Sequence, residues 1–351
     1  MNKRRNYYLD FWKGIACFGV VFFHTYYAFY WENRDVGNML KAFFRFAIPL
    51  FYMISGYYCY YADNAVTSQK LPNKIKHIFK INVVASIMWL FVQLMIGLLG
   101  DNHGGFSGMK DKLGEIFTFK KLLIWLFLNE DPFVKILWFL SALLYMYLAM
   151  ILINRFNLYK ASYVVAIICF VIHYLLGNVC KGFGIEINSI YYRNFLLMAF
   201  PFFMFGHYIH RNENELLQKF SLKVCIFMLV LGELLTIPEW YFLGKTEISI
   251  GAVLAAFAIF VLSLHVPDRK TKSIITYIGT ELSLFIYIIH MAVKLVMDKV
   301  AGKLFYHSPK ADLAYQVLKP LLCFGVSIVA GILFYKVMNY LKGMRKKANA
   351  E

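Results

Sequence analysis

The chain has 351 residues, of which 60% are hydrophobic and 16% charged, and its formal net charge is +17 at pH 7. Soluble globular proteins are about one quarter charged, so this composition excludes a set of soluble domains and predicts an integral membrane protein. The positive charge is spread over many short loops, as in cytoplasmic loops that face anionic lipid, and a nucleic-acid partner is therefore not expected.

Ten mostly apolar segments, most of them about 18 residues or longer, are predicted to cross the membrane as helices. In chain order they cover residues 9–31, 42–62, 79–99, 134–154, 161–178, 193–210, 221–237, 248–265, 274–297 and 315–341. The first is expected to be a retained span, because it is too long for a signal peptide and no cleavage motif follows it. Lysine and arginine are concentrated in alternate loops, which predicts that both termini are cytoplasmic.

The segments between and after the spans carry no second domain. Residues 100–133 form a longer loop that begins with the loop-like stretch "GDNHGGFSGMKDK" and ends with "IFTFKKLLIWLFLN", expected to be an interfacial helix. Residues 1–341 are interpreted as one transmembrane domain and 342–351 as a short basic cytoplasmic tail. The six cysteines lie in or beside apolar runs without metal-binding spacing, so no metal site is expected.

The first span places an imidazole, His24, deep in an apolar run. Lys13 lies eleven residues earlier, about three helical turns or ~16 Å away on nearly the same face, and Asp10 shares that stripe. Ionisable groups inside a span are costly, and each is therefore a functional hypothesis. The alternative for a lone histidine is a hydrogen bond to the backbone of a neighbouring helix.

A second histidine repeats this placement in "IGTELSLFIYIIHMAV", where Ser283, Tyr287 and His290 share one helix face. His24 and His290 each lie about sixteen residues into a span that runs outward, which puts both ~24 Å deep. Two imidazoles at matching depth can meet across helices, and the sequence leaves open whether they do.

Two other spans begin with arginine and carry a glycine in their second half. They read "RFAIPLFYMISGYY", with Arg45, Ser55 and Gly56, and "RNFLLMAFPFFMFGHYI", with Arg193 and Gly206. Both helices are predicted to enter from outside, so the arginines mark the outer rim, where snorkelling and substrate binding are both open interpretations. The glycines favour close helix packing.

Three lysines stand at the cytoplasmic entry of the third span, in "KLPNKIKHIFK". Lys74, Lys76 and Lys80 satisfy the positive-inside rule. The functional alternative is a clamp for the phosphates of an anionic cofactor, because lysine ammonium groups bind phosphate as point charges.

Six stretches, in this order, resemble the membrane acyltransferase-3 family over nearly the whole chain. They are "LDFWKGIACFGVVFFHT", "RFAIPLFYMISGYY", "KIKHIFK", "WFLSALLYMYL", "PFFMFGHYI" and "LSLFIYIIHM". The resemblance implies an all-α bundle of about ten transmembrane helices that transfers an acyl group, commonly acetyl from acetyl-CoA, to a hydroxyl of a cell-surface glycan. In the family's first-span pattern an arginine precedes the histidine by eleven positions. Here Lys13 keeps the charge and loses the bidentate fork.

The resemblance also implies a setting. Compact members are similar to the exopolysaccharide- and capsule-modifying acetyltransferases of Gram-positive bacteria, so a multi-pass plasma-membrane enzyme is expected. Its expected partners are a glycan acceptor, the lipid bilayer and polysaccharide-synthesis membrane proteins. No extracellular esterase-like domain is evident, so direct acylation or hand-over to a separate protein is expected.

These observations combine into one hypothesis for the site. Its catalytic group is His24, His290, Tyr287 and Arg45. Its acetyl-CoA-binding group is Lys13, Lys74, Lys76 and Lys80. A third group is expected to bind substrate or support structure: Asp10, Ser55 and Arg193. His24 would act as general base or nucleophile, with its partners positioning the acceptor or stabilising the oxyanion.

Two readings from other classes remain. A transporter or flippase for a polysaccharide or lipid-linked sugar would also use intramembrane histidine and arginine. A structural or sensory membrane protein would leave the histidine pair unexplained.

Overall fold

The structure, a computed structural model, describes residues 5–27, 30–31, 34–100, 104–243, 247–267, 273–305 and 308–348. The helices are, in chain order, α1 Tyr7–Thr25, α2 Val36–Ala42, α3 Ala47–Tyr57, α4 Asn64–Leu98, α5 Phe106–Ile116, α6 Phe119–Leu128, α7 Trp138–Arg155, α8 Tyr159–Tyr174, α9 Cys180–Gly182, α10 Phe200–Arg211, α11 Glu213–Lys219, α12 Leu222–Leu243, α13 Ile250–His265, α14 Ile274–Tyr277, α15 Ser283–Leu304 and α16 Pro309–Ala348. The strands among the described residues are β1 Tyr30–Trp31 and β2 Arg34–Asp35, an antiparallel pair with Tyr30 opposite Asp35.

The described residues include six helical segments long and apolar enough to cross a membrane. They are Val36–Tyr57, Asn64–Leu98, Lys135–Arg155, Tyr159–Gly182, Ile274–Leu304 and Pro309–Met344. A seventh is reached if α11 and α12, which meet at 84°, form one broken span, while α13 is apolar but shorter. The helical membrane protein expected from composition is thus confirmed. Helix covers much of every predicted span, but the number ten and the cytoplasmic position of both termini stay predictions.

Close contact between α3 and α10 builds the centre of the bundle. A Cβ atom on Gly56 would overlap the carbonyl oxygen of Phe203, and one on Gly206 would overlap the carbonyl oxygen of Met53. The two backbones are therefore in direct contact, and only glycine, which has no Cβ atom, fits at these positions. This contact confirms the interpretation of both glycines as packing residues.

A second glycine contact aligns α1 with the start of α15. A Cβ atom on Gly14 would overlap the carbonyl oxygen of Ile275, and one on Gly279 would overlap that of Asp10. Gly279 lies in a π-helical turn, Ile278–Leu282, that joins α14 to α15. Such turns insert a residue into the helix and are frequent near functional sites. The turn lies at the point where α1 packs against Gly279, directly before α15 begins.

The loop between α4 and α7 differs from its prediction. The stretch expected to be loop-like contains α5, whose Gly108 carbonyl lies where a Cβ atom on Gly97 would be. This close approach of two glycines packs the short helix on α4, a contact between neighbouring helices that local composition does not reveal. Residues 101–103 lie outside the described residues. α6 lies where the sequence predicts an interfacial helix, and α16 continues through residues 342–348 of the predicted tail.

Candidate active site

The structure brings the two predicted intramembrane histidines together. His24 lies in the last turn of α1 and His290 in the first half of α15. Their ring centroids are 5.3 Å apart. The packing of α1 on the π-helical turn before α15 produces this approach, and it converts two residues of matching depth into one constellation.

Hydrogen bonds define the tautomer of His290. Its Nδ1 lies 2.8 Å from the carbonyl oxygen of Tyr287 and 3.1 Å from that of Ile286. A carbonyl only accepts, so Nδ1 carries the hydrogen and Nε2 keeps its lone pair. Nε2 is buried and has no hydrogen-bond partner among the described residues. It is therefore an available acceptor for a donor group of a substrate or of His24.

His24 lies between two cavities and lines both of them. No described residue forms a hydrogen bond with its ring, which is exposed. Ile136 and Trp138 also line both cavities, and the Tyr287 hydroxyl donates to the Ile136 carbonyl. This hydrogen bond links the wall between the cavities to α15, beside the histidine pair.

The first cavity is apolar, has a volume of about 220 Å³ and includes Lys13 and His24 in its lining. Its lining residues are Lys13, Cys17, Val20, Phe23, His24, Ile48, Phe51, Ile136, Trp138, Phe139, Ser283, Leu284 and Tyr287. The Lys13 ammonium lies 3.5 Å from Oδ1 of Asp10, whose Oδ2 accepts a 2.8 Å hydrogen bond from Nε of Arg5. Of the predicted stripe on α1, Lys13 and His24 therefore border one space, while Asp10 lies outside the lining and contacts the Lys13 ammonium.

The second cavity is polar and larger, with a volume of about 860 Å³. Its described lining residues are His24, Gln93, Thr118, Lys120, Lys121, Ile124, Glu130, Asp131, Pro132, Phe133, Val134, Lys135, Ile136, Trp138, Asn188, Ser189, Ile190, Arg193 and Met291. Most come from α6, the loop after it and the segment before α10. An imidazole between an apolar and a polar space can serve two different reactants, one from each side.

The two predicted arginines converge on a carboxylate that sequence reasoning missed. Nη1 of Arg45 donates to the Glu247 carbonyl at 2.9 Å and lies 3.6 Å from its Oε2, while Nη1 of Arg193 lies 3.9 Å from Oε1. Burial alone would raise the pKa of the Glu247 carboxyl, but the positive charges of Arg45 and Arg193 outweigh it and lower that pKa. The sequence did contain one signal for such an acid. Two arginines predicted at the same rim are costly to bury without a counter-charge, so a nearby carboxylate is expected.

The two arginines differ in their relation to the site. Arg193 lines the polar cavity. Arg45 is buried and lines neither cavity described here; its guanidinium lies 5.2 Å from the ring centroid of Phe23, a lining residue of the apolar cavity. Arg45 therefore acts on the site through Phe23 and Glu247.

The lysines of α4 are not brought to the histidine pair. Lys76 and Lys80 are exposed, Lys74 is half-buried with its ammonium 5.8 Å from the Tyr147 ring centroid, and none lines either cavity. Ser55 donates to the Phe51 carbonyl at 2.9 Å, a bond within its own helix. The phosphate clamp on α4 stays a prediction, and among the described lining residues of the apolar cavity Lys13 is the basic one.

A second missed residue is Asp131, in the loop between α6 and α7. Its Oδ1 accepts from the backbone N–H groups of Phe133 and Val134 at 2.9 and 3.2 Å, and its Oδ2 is buried without a partner among the described residues. Burial raises the pKa of this carboxyl to about 6. The polar cavity therefore contains a carboxyl group that gains or loses a proton near neutral pH.

Replacing Asp131 with asparagine should remove a pH-dependent part of the stability. The folded-state pKa is above the ordinary value of 3.8, so the stabilising contribution is complete below pH 3.8 and is lost as the pH rises through 6. The difference between these values corresponds to about 3 kcal/mol. The check is the apparent Tm of detergent-solubilised protein between pH 4 and 8. The wild type should lose Tm over this range, more steeply than D131N, and the exposed variant D111N should follow the wild type. Equal slopes for the wild type and D131N would refute the assignment.

Comparison with known proteins gives one positive result. The model of the acyltransferase-3 family, described as an acyltransferase domain, matches residues 6–336. This range contains the histidine pair and both cavities. Neither the comparison with curated proteins nor that with solved structures gives a match.

Proposed function

The chain belongs to the acyltransferase-3 family, and on that premise we propose that it moves an acetyl group from acetyl-CoA to a hydroxyl of a bacterial cell-surface or exopolysaccharide glycan. Membership of the family supports a membrane acyltransferase. We propose in addition that the donor is acetyl-CoA, that the acceptor is a glycan and that the enzyme lies in the plasma membrane. The observation that carries it is His24 between an apolar cavity that Lys13 also lines and a polar cavity rich in hydrogen-bonding groups.

The apolar cavity suits the acyl donor. Its lining is almost entirely hydrophobic, which fits an acetylated pantetheine arm, and Lys13 offers a positive charge to a phosphate or carbonyl. The distance along α1 from Lys13 to His24 is ~16 Å, within reach of an extended arm. Asp10 holds the Lys13 ammonium in place at 3.5 Å, and Arg5 contacts both Asp10 and Glu281.

The chemistry assigned to His24 is general-base catalysis. Its free ring nitrogen takes the proton of the acceptor hydroxyl while the hydroxyl oxygen bonds to the thioester carbon. The resulting tetrahedral oxyanion collapses, the carbon–sulfur bond breaks, and the imidazolium returns the proton to the CoA thiolate. In the proposed mechanism the unpartnered Nε2 of His290, whose ring centroid lies 5.3 Å from that of His24, accepts the other N–H of His24 when the two rings close up during the reaction, and so selects the His24 tautomer with a lone pair toward the acceptor.

Tyr287 holds the reaction chamber in shape. Its hydroxyl is engaged with the Ile136 carbonyl, so direct oxyanion stabilisation by Tyr287 requires that bond to break first. We assign it to positioning the wall between the cavities. Arg193, which lines the polar cavity, is assigned to the acceptor.

The test uses purified protein in liposomes with radiolabelled acetyl-CoA and a panel of neutral and anionic bacterial exopolysaccharides. Label that becomes covalently attached to a polysaccharide supports the proposal. Movement of polysaccharide across the liposome membrane without acetyl-CoA supports a carrier. Absence of label transfer to every polysaccharide and to water contradicts acetyl transfer.

Replacing Lys13 with methionine should raise the KM for acetyl-CoA by about 10-fold or more, because a hydrogen bond to a charged group contributes about 1.5–3 kcal/mol. Lys13→Arg should stay within about threefold of the wild type, since the charge remains. Steady-state kinetics with varied acetyl-CoA provide the measurement, and the exposed Lys160→Met is the control. An unchanged KM in Lys13→Met would remove Lys13 from the donor site.

A further inference from the structure

The polar cavity carries an uncompensated positive charge. Its described lining includes four basic side chains, Lys120, Lys121, Lys135 and Arg193, and two acids, Glu130 and Asp131. Lys135 pairs with Glu130 at 3.5 Å, and Arg193 pairs with Glu247 at 3.9 Å. Lys120 and Lys121 form no ion pair with any described residue. Both lysines line the cavity that His24 also lines, and neither is neutralised by a direct ion pair with a described residue; after the hydrogen bond from Lys112, the Lys121 charge also acts on the exposed Glu115 carboxylate and lowers its pKa.

The first turn of α6 contributes a second source of positive potential to the same space. Thr118 is the N-cap of α6, its Oγ1 accepting from the Lys121 N–H at 3.3 Å, and it lines the cavity together with both lysines. The positive end of a helix dipole favours anions there. Helix and side chains thus act in the same direction.

The outer face of α6 places this charge at the membrane surface. Phe119, Leu126 and Phe127 are exposed, and none of the helix is buried. Lys121 lies on the side of α6 opposite these apolar residues and Lys120 at their border, an amphipathic pattern that places the helix in the bilayer interface. The lysines are therefore positioned where a lipid-linked or surface glycan would present its charged groups.

We propose that the polar cavity recognises a phosphate group of the acceptor, held by Lys120 and Lys121 while a nearby hydroxyl reaches His24. This inference rests on the proposed function and narrows its acceptor to phosphate-bearing glycans. Lysine suits the role because its compact ammonium binds phosphate as a point charge without a planar partner. With about 860 Å³, the cavity has room for a sugar beside the phosphate.

The shared chemistry has two sources: the phosphate headgroup of a polyprenyl-linked glycan, and a phosphate within a glycan polymer. Two matched pairs of probes separate them. Farnesyl phosphate against farnesol represents the lipid headgroup, and glucose 1-phosphate against glucose represents the polymer. Calorimetry on the full detergent-solubilised chain measures binding of each.

The double variant Lys120→Gln/Lys121→Gln tests the assignment. Its matched control, Lys110→Gln/Lys112→Gln, removes two charges from the neighbouring helix α5. The wild type and the control should bind at least one phosphate probe, and more tightly than its neutral partner. The double variant should show a Kd at least 10-fold higher. Preference for farnesyl phosphate identifies the lipid source, and preference for glucose 1-phosphate the polymer.

Absence of phosphate binding by the wild type, or binding that the double variant retains, overturns the proposal. This result is separate from a failure of acetyl transfer, because acetyl-CoA binding and hydrolysis by the double variant are measured on the same preparation. If those are at wild-type level while the wild type fails to bind phosphate or the double variant retains that binding, acetyl transfer stands and the phosphate-bearing acceptor does not.

Discussion

Replacing His24 with alanine should lower the rate of acetyl transfer by about 10²- to 10⁴-fold, the usual contribution of a positioned general base. The ring is the one described ionisable side chain that lines both cavities. Without it, the acceptor hydroxyl must lose its proton to water, which is a much weaker base than imidazole. The binding of acetyl-CoA should change little, because Lys13 and the apolar walls remain.

Single-turnover transfer from radiolabelled acetyl-CoA provides the measurement, with donor binding recorded separately. His265→Gln is the matched control: the His265 ring contacts the Phe220 carbonyl at 2.6 Å, lines neither cavity, and glutamine can keep a donor there. Transfer within a few-fold of the wild type in His24→Ala would exclude His24 as the base. His290→Gln should show a smaller loss and an altered pH profile, as expected of a positioning residue.

Replacing Glu247 with alanine should destabilise the fold by about 3 kcal/mol, the lower end of the range for breaking a buried ion pair. The change leaves Arg45, whose side chain is only 8% exposed, without a counter-charge, and frees Arg193 at the wall of the polar cavity. The pKa of Glu247 is lowered below its ordinary 4.5. Its contribution is therefore complete above pH 4.5 and is lost as the pH falls through the folded-state value.

Thermal unfolding in detergent at pH 7 tests this prediction. Glu115→Gln is the control, because Glu115 forms an exposed pair with Lys112 at 2.7 Å, and such pairs contribute about 0–1 kcal/mol. In the double variant Glu247→Ala/Arg45→Met, part of the lost stability should return, since the orphaned buried charge is gone. A Tm for Glu247→Ala equal to that of Glu115→Gln would show that the cluster is not a stabilising centre.

His24 and Glu247 belong to the same candidate site. In the proposed mechanism the histidine pair provides the chemistry, while the Glu247 carboxylate binds two arginines next to the two cavities: Arg45 lies against Phe23 on the apolar side and Arg193 lines the polar side. Loss of Glu247 should therefore also lower transfer in the protein that remains folded. In the proposed mechanism the donor and the acceptor approach the same imidazole from separate cavities, and no solvent-filled passage through the bundle is required.

Much of the site was predictable because it depends on helical geometry within single segments. A rise of about 1.5 Å per residue places Lys13 below His24 on one face of α1, and it gives His24 and His290 matching depths. The glycines of α3 and α10 were interpretable for a similar reason: a missing side chain in an apolar helix favours close contact with another helix. Composition alone was enough to predict that the chain is an integral membrane protein.

What the tertiary structure decided are the contacts between segments distant in sequence. Glu247 lies 202 positions after Arg45, and nothing local to its loop links the two. The same holds for Asp131 and the lysines of α6, which line the same cavity as His24 although they are distant from it in sequence. Conversely, the α4 lysines have a convincing local pattern and line neither cavity. Helical periodicity orients a side chain relative to its own axis, whereas burial of apolar surface and pairing of buried charge determine which axes come together.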